Sequence, residues 1–586
     1  MPMPTFFDAQ RIVIIGMGSR GLSVLEQLIG AARRDSHRPL VIDLFDPQLP
    51  GSGLHSPEQP DYLMLNTMAG QLSGFSSAYP AWQPDGTPGL TFLQWCTAEG
   101  LRLNERGHTS GSEAGRPIEF ADFVPRKLLG RYLQDCYRYL LTLCPPHVQV
   151  NHRRNLITGC RPKSGNQGFQ LHTAEGLDVG ADAVFMTTGH TPQPEADCEG
   201  KRVAIEGLGL SAMDQIAHLT EGRGGRFVRD HSQGGWRYLP SGREPQIYLF
   251  SRSGLPFHCR PHGTPASSVT QRLFFTAQAI VELRKDSPDG RLDFARQVLP
   301  LIEDEMRSVF YLAQARLRQP SRLAFVSHSL QNAKTEQALR KVFAALAEEF
   351  GPFEPQAYLN IQGWQGDPQN YPEWFRQWVA RDLARSCLGV DASPLTQALE
   401  VWRDCRDLLR LVADHDGLND RSTLEFYGAW AGLGNRLVGG PQKERYEDLL
   451  ALMNAGVVMP VAPDGIHAIE IDSLISARNA PGGLSQNSLP LINDMLTQGL
   501  IRAAHPYPAD GIAVDAQSRA LRRDGSTHER LWVLGPGVEG STFYNHYVPT
   551  PDPACKAPLQ ARTAVRACLA ALHVEVEVEV ESLAVD

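Results

Sequence analysis

The chain has 586 residues, of which 42% are hydrophobic and 21% charged, and its formal net charge is −9. That length carries a large core and suggests roughly three or four domain-sized units. The acidic balance and the lack of a long Lys/Arg cluster argue against a nucleic-acid binder.

Met1 to Gln10 has no basic n-region and no apolar h-region. No apolar run approaches the roughly 18–20 residues that a membrane helix needs, so a soluble, cytoplasmic protein without a membrane partner is expected. The 10 cysteines contain no C-x-x-C pair, which argues against a disulfide framework, a zinc ribbon and a dithiol redox site. His218 and His231 stand apart with no H-E-x-x-H spacing, and no metal is expected.

Arg11-Ile-Val-Ile-Ile-Gly16 reads as a buried strand ended by glycine, and Leu22, Leu25 and Leu28 give the helix that follows. Leu40 to Asp46 reads as the next strand, completing a βαβ unit. Its turn carries Gly16, Gly18, Ser19, Arg20 and Gly21. The first glycine permits the turn, the second lets backbone approach a pyrophosphate, and the third allows close helix–strand packing. Asp46 closes the second strand 25 residues after Gly21, near where a ribose-binding carboxylate belongs.

Leu49 to His55 is Gly/Pro-rich and reads as loop, and residues 121–143 are mostly helical. Ala183 to Gly189 reads as another strand, ending in Thr188-Gly189-His190-Thr191-Pro192. A second βαβ unit starts at Arg202, with Gly207, Gly209, Ser211 and Ala212 in its turn and Gln246–Ser251 as its next strand. That strand leads into Arg252, not into an acid. An acid would repel a 2′-phosphate and arginine would bind it, so NADPH is expected over NADH.

From about 270 to 450 amphipathic helices dominate. Ser393-Pro394 reads as a helix start, with Leu395, Leu399, Trp402, Leu409 and Val412 near one face, and residues 334–350 and 372–388 read alike. A strand returns at Arg530–Gly535. The tail Val574–Glu581 alternates valine and glutamate, as either a strand or a disordered acidic segment.

The fold class is therefore α/β: two Rossmann-like dinucleotide-binding domains, for FAD and NADPH, plus a mainly helical insertion. The expected division is 1–200 for the first part of the FAD domain and 201–268 for the NADPH domain. Residues 269–450 form a substrate-facing insertion, 451–570 return to the FAD domain, and 571–586 are the tail. One such turn binds one dinucleotide, so two imply cofactors that pass electrons, as in a flavin enzyme reduced by a nicotinamide.

The order of FAD turn, Thr-Gly segment and G-x-G-x-S-A turn resembles the class B flavin monooxygenases, especially their N-hydroxylating branch. The Baeyer–Villiger fingerprint is absent, which favours nitrogen hydroxylation. Four stretches (Ile14–Glu26, Pro60–Thr67, Gly207–Asp214 and Leu534–Tyr547) also resemble a family of bacterial FAD/NAD(P)-binding proteins. Similar flavin enzymes oxidise the amino group of aspartate to a nitroso or nitro group. The resemblance implies a small amine or amino-acid substrate and O₂, with oxygen transfer from a flavin C4a-hydroperoxide.

Many such flavoproteins place Gly-Asp where this chain has Gly535-Pro536, so the ribityl contact must come from elsewhere, with the backbone N–H of Gly537 or Gly540 as candidates. Asn66, Asn545 and His546 are the catalytic candidates, and His55 and Gln59 share the flavin-covering loop with Asn66. Asn66 is also assigned to the flavin. Arg260 and Tyr547 are the substrate candidates, Arg260 as a carboxylate clamp. A homo-oligomer is compatible with the chain. Two alternatives stay open: a flavin oxidoreductase or oxidase that inserts no oxygen, and a non-enzymatic nucleotide-binding scaffold.

Overall fold

Ile12, Val13, Ile14 and Ile15 are all buried, as a central strand of a covered parallel sheet must be. In the computed structural model the strand Gln10–Ile15 pairs in parallel with Leu40–Phe45 on one side and Ala183–Met186 on the other. The structure describes residues 9–34, 39–77, 89–111, 114–189, 198, 200–230, 234–264, 272–477 and 483–572. His190, Thr191, Pro192, His231 and the acidic tail fall outside those residues.

The first sheet has six strands in the order Arg519–Leu521, Thr527–Val533, Ala183–Met186, Gln10–Ile15, Leu40–Phe45, Val148–Arg153. Only Arg519–Leu521 runs antiparallel to its neighbour. The helix Ser19–Arg34 covers one face, with Leu22, Leu25, Leu28 and Ile29 packed on Ala561, Ala564 and Val565 of the helix Lys556–Ala571. Gly16 has φ +93°, and a Cβ there would lie 2.9 Å from Thr187 O. A Cβ on Gly21 would lie 2.4 Å from Gly16 O, so the tightness of the turn itself requires both glycines.

The second sheet has four parallel strands in the order Val458–Pro460, Gln246–Phe250, Arg202–Glu206, Ser473–Ser476. Two of its strands lie in 451–476, which the sequence pattern groups with the FAD return segment. They are only three and four residues long, one ending in proline and the other flanked by serines, so they carry no usable periodicity. A hairpin, Arg226–Arg229 with Trp236–Leu239, intervenes before Gln246–Phe250, where the sequence suggested a direct return. The helices Tyr371–Ser386 and Lys443–Asn454 pack into the core of this second unit through Phe375, Val379, Tyr446 and Leu449.

Most other helices between 277 and 438 build a separate core around Phe294, Trp402, Phe426 and Leu433. Ser393 caps Pro394–Asp404 by accepting from Thr396 N–H at 3.2 Å. The expected continuous helix breaks at Cys405, and Arg406–Ala413 forms a separate helix beyond it. Leu399, Trp402, Leu409 and Val412 stay buried across the break. No helix among the described residues is long and apolar enough to cross a membrane.

Glu26 lies in the first helix, fully buried, with both carboxylate oxygens accepting from Ser76 N–H at 3.0 and 3.2 Å. Burial pushes its pKa up to about 8, against the pull of that hydrogen bond. As pH rises from about 5 to 8 the unfolded chain loses this proton while the folded chain keeps it, so the group costs stability, by roughly 4–5 kcal/mol once both have ionised. Glu26→Gln should therefore melt higher than the parent at pH 8, and the gap should close near pH 5. Thermal melts across that range check it, and a pH-independent gap would contradict the burial argument.

Candidate active site

Both nucleotide turns sit at the carboxyl ends of their parallel strands, where open α/β sheets bind ligands. At the first turn, Asp46 Oδ2 accepts from Met17 N–H at 2.7 Å and Oδ1 from Gln48 N–H at 2.8 Å, holding the carboxylate beside the glycines. Thr187 Oγ1 donates to Gly16 O, which joins the end of Ala183–Met186, and with it Thr188 and Gly189, to the turn.

Gly18 has ordinary room for a Cβ, its nearest neighbour being Gly53 Cα at 3.6 Å, so internal packing does not demand a glycine there. A side chain would fill the approach to the backbone at the start of the helix. Arg20 is buried, and its Nε has no partner. An open glycine backbone, a helix N-terminus without acidic residues in its first turn and an unsatisfied guanidinium N–H fit a pyrophosphate, so the residues present fit FAD.

Arg20 also ties this turn to the late loop. Its Nη2 donates to Asn545 O at 3.2 Å, and its guanidinium lies 4.5 Å from the Tyr547 ring centroid. Gly535 abuts its side chain. The loop beyond Gly535 is organised by Glu539, which accepts from Tyr544 N–H at 2.8 Å, Asn545 N–H at 2.9 Å and Asn545 Nδ2 at 3.0 Å. Asn545 Nδ2 also donates to Thr542 O at 3.0 Å. The Asn545 side chain thus braces its own buried loop. The Gly540 N–H donates to Thr542 O at 3.2 Å, so it is not open to a ribityl chain.

A cavity of about 1440 Å³ joins the second turn to this loop and to the helical region. Gly207, Gly209, Ser211 and the exposed Arg252 line it from the second turn. His55, Asn66, His546 and Tyr547 line it from the first unit. Asn66 Nδ2 donates to Gly439 O at 3.3 Å, and His546 Nε2 lies 3.4 Å from Glu539 Oε2. Burial pulls His55 down to about 3, with the nearby Arg126 adding to it, so the ring is neutral at physiological pH. Gly16, Gly18, Ser19, Arg20, Gly21, Asp46, Thr188, Gly189 and Gly535 group at the first turn and lie outside the lining; Ala212 is buried in the second unit's core.

The helical region gives this cavity its charge. Arg403, Arg406 and Arg410 face it from the two helices around the Cys405 break, and Arg260 and Arg436 join them. Arg260 is fully buried, with Nη1 donating to Glu400 Oε1 at 2.7 Å and to Val438 O at 3.1 Å while its Nε has no partner. Burial, then the charge of Arg403, lowers Arg260 to about 10. Arg406 is likewise drawn down to about 10 by burial, with Arg403 adding to it; its guanidinium lies 3.9 Å from the Tyr544 ring centroid, and its buried Nη2 has no partner. Arg410 donates to Phe543 O at 3.1 Å and Tyr544 O at 2.9 Å.

Those bonds hold Tyr544 at φ +59°, an uncommon setting for a residue with a side chain. Asp414 Oδ1 adds an acceptor for Phe543 N–H at 2.7 Å. The arginines at 403, 406 and 410 went unassigned in the sequence, although their i, i+3, i+7 spacing puts them near one helical face.

A family model described as FAD-NAD(P)-binding matches residues 13–191. An L-aspartate N-monooxygenase (nitrosuccinate-forming) of Streptomyces cremeus is 30% identical, over 90% of this chain and 90% of that protein. A protein of the same description from Streptomyces davaonensis is 30% identical over 83% of this chain and 85% of its own length. The nitrosuccinic acid synthase npaA of Aspergillus oryzae is 28% identical over 90% and 88%. A glycine-rich turn at the carboxyl end of each parallel sheet, the second opening onto a cationic cavity, together with these likenesses along most of its length, places the chain in the family of L-aspartate N-monooxygenases, as an FAD- and NAD(P)-dependent enzyme that hydroxylates an amine nitrogen.

Proposed function

We propose that this enzyme hydroxylates the amino group of L-aspartate, or of a close amino dicarboxylate, using NADPH, FAD and O₂. The convergence of Arg260, Arg403, Arg406, Arg410 and Arg436 on one cavity carries the reading. A substrate with two carboxylates needs cationic anchors for both, and guanidinium forks match carboxylates in pairs of hydrogen bonds. The relatives named for aspartate support the same substrate.

The FAD unit is assigned to 9–189 with 483–572, and the nicotinamide unit to 200–264 with 371–386 and 443–476. Gly16, Gly18, Arg20 and Gly21 would hold the FAD pyrophosphate and Asp46 its ribose. Gly207, Gly209, Ser211 and the helix that begins at Leu210 would hold the pyrophosphate of NADPH, and Arg252 its 2′-phosphate. Bound flavin supplies the redox chemistry: it takes hydride from the nicotinamide and activates O₂.

The chain supplies position and charge. Arg406 and Arg260 present unpartnered N–H groups for the substrate carboxylates. The same positive field disfavours a substrate ammonium, so it releases the nitrogen lone pair that must attack an electrophilic oxygen. The stacked rings of Tyr544 and Tyr547, 6.1 Å apart, wall the cavity and limit water.

Incubation with L-aspartate, NADPH and O₂ should yield nitrosuccinate by mass spectrometry. NADPH oxidation that gives only hydrogen peroxide with every amino dicarboxylate would remove the reading. Arg406→Ala should lower kcat/KM for aspartate about 10- to 100-fold, the value of one or two charged hydrogen bonds, while NADP⁺ affinity holds. Arg252→Ala should raise the KM for NADPH about tenfold and leave that for NADH nearly unmoved; steady-state kinetics with both nucleotides decide it.

A further inference from the structure

The two nucleotide units meet along one side of the helix Leu210–Leu219, the helix that the second turn opens. Asp214, His218 and Glu221 follow one another at i, i+4 and i+7, the last in the short turn Glu221–Arg223 that continues the helix. Each meets a side chain of the first unit. Asp214 pairs with Arg126 at 2.7 Å, His218 Nδ1 lies 3.2 Å from the Tyr62 hydroxyl, and Glu221 lies 3.5 Å from Arg106 and 3.7 Å from His108.

Arg106 reaches furthest into the second unit. Its Nη1 lies 2.6 Å from Asp448 Oδ1, and its guanidinium sits 4.4 Å from the Phe227 ring centroid and 4.8 Å from that of Trp236. The Arg106 side chain is 14% exposed and that of Asp448 5%. Four side chains of the second unit, from two helices and a hairpin, therefore surround one arginine of the first. A buried ion pair is weak grounds for stability, because desolvation offsets most of its attraction. Its directional bonds do fix orientation.

A helix is a rigid rod, so whatever holds its outer face also fixes the position of its N-terminus. We propose that Arg106 is a positioning residue for hydride transfer: by gripping Glu221 and Asp448 it sets the nicotinamide-binding helix in register with the flavin unit. The proposal rests on the assignment of the second turn to NADPH. In that step the C4–H bond of the dihydronicotinamide breaks and the hydride passes to the flavin, oxidising the first and reducing the second. Such transfer needs reacting atoms about 3–3.5 Å apart, and a misplacement of about 1 Å can cost about 100-fold. Arg126 and Asp214 line the cavity, so replacing them would mix contact with register. Arg106 lies outside the lining and acts through the elements of the second unit that it grips.

Removing Arg106 leaves Asp448 still paired with Arg445 at 3.1 Å, whereas Glu221, 20% exposed, loses its nearest charged partner, because burial lowers the neighbouring His108 to about 4 and keeps that ring neutral. Arg106→Leu and Arg106→Lys, as full-length flavin-loaded protein, should be compared with the parent. The readouts are anaerobic flavin reduction by NADPH, NADP⁺ affinity from the perturbed flavin spectrum, and hydrogen exchange across 210–221. Arg106→Leu should slow flavin reduction about tenfold or more, keep the NADP⁺ Kd within about threefold, and speed exchange across that helix; Arg106→Lys should recover part of the rate. A folded Arg106→Leu that is reduced at the parental rate, or whose loss lies wholly in NADP⁺ affinity, overturns the proposal. Glu221→Gln, with the same readouts, serves if Arg106→Leu does not fold. A parent protein that binds no NADP⁺ would instead overturn the underlying assignment of the second turn.

Discussion

Guanidinium groups gathered around one cavity repel each other, and the site exists only because the fold restrains them. Glu400 sits between Arg260 and Arg403, with its carboxylate oxygens 2.7 and 3.2 Å from them. Asp407 holds Arg410 at 2.7 Å, and the carbonyls of Val438, Phe543 and Tyr544 accept further N–H groups. Tyr544 and Tyr547 offer ring faces to Arg406 and Arg410. These restraints orient the cations before any ligand arrives, so little ordering remains for binding to impose. They leave positive charge in excess, which an incoming pair of carboxylates complements.

That arrangement makes the helical region part of the cavity wall. The break at Cys405 lets the helices on either side keep Leu399, Trp402, Leu409 and Val412 in their own core while turning Arg403, Arg406 and Arg410 toward the cavity. Arg410 and Asp414 then grip the loop at Phe543 and Tyr544. Burial lifts Asp414 to about 7 against the pull of that hydrogen bond and of Arg410. The left-handed setting of Tyr544 persists because Glu539 from its own loop and Arg410 from the helix both bond its backbone. The late loop and the helix Arg406–Ala413 are thereby one mechanical piece.

What could be read from the sequence follows from how local each signal is. The strand Ile12–Ile15, the glycine turn and Leu22, Leu25 and Leu28 lie within a short window, and a buried parallel strand is a continuous apolar run, so the first unit was legible. The cap at Ser393 was legible for the same reason. Val458–Pro460 and Ser473–Ser476 were not, because their places as edge strands come from the neighbours they pair with and not from their own residues. The arginine cluster joins residues as far apart as Arg260 and Glu400, 140 positions away, and no window contains both. The partners of Asn545 were illegible for a related reason: its amide is held by Glu539 and Thr542 in a turn whose shape the sequence does not print.

The protein divides its labour by helix face more than by domain. Leu210–Leu219 starts at the second glycine turn and gives one flank to the first unit, through Asp214, His218 and then Glu221. Arg406–Ala413 offers one flank to the apolar core and the other to the cavity. In both, one element answers to two partners at once, so its position cannot drift for one without disturbing the other. A catalyst that must align a nicotinamide, a flavin and a charged amino acid has three relative positions to hold. Two rigid rods, each pinned on both flanks, hold them with fewer parts than separate loops would need, since a loop must be ordered residue by residue against its own entropy.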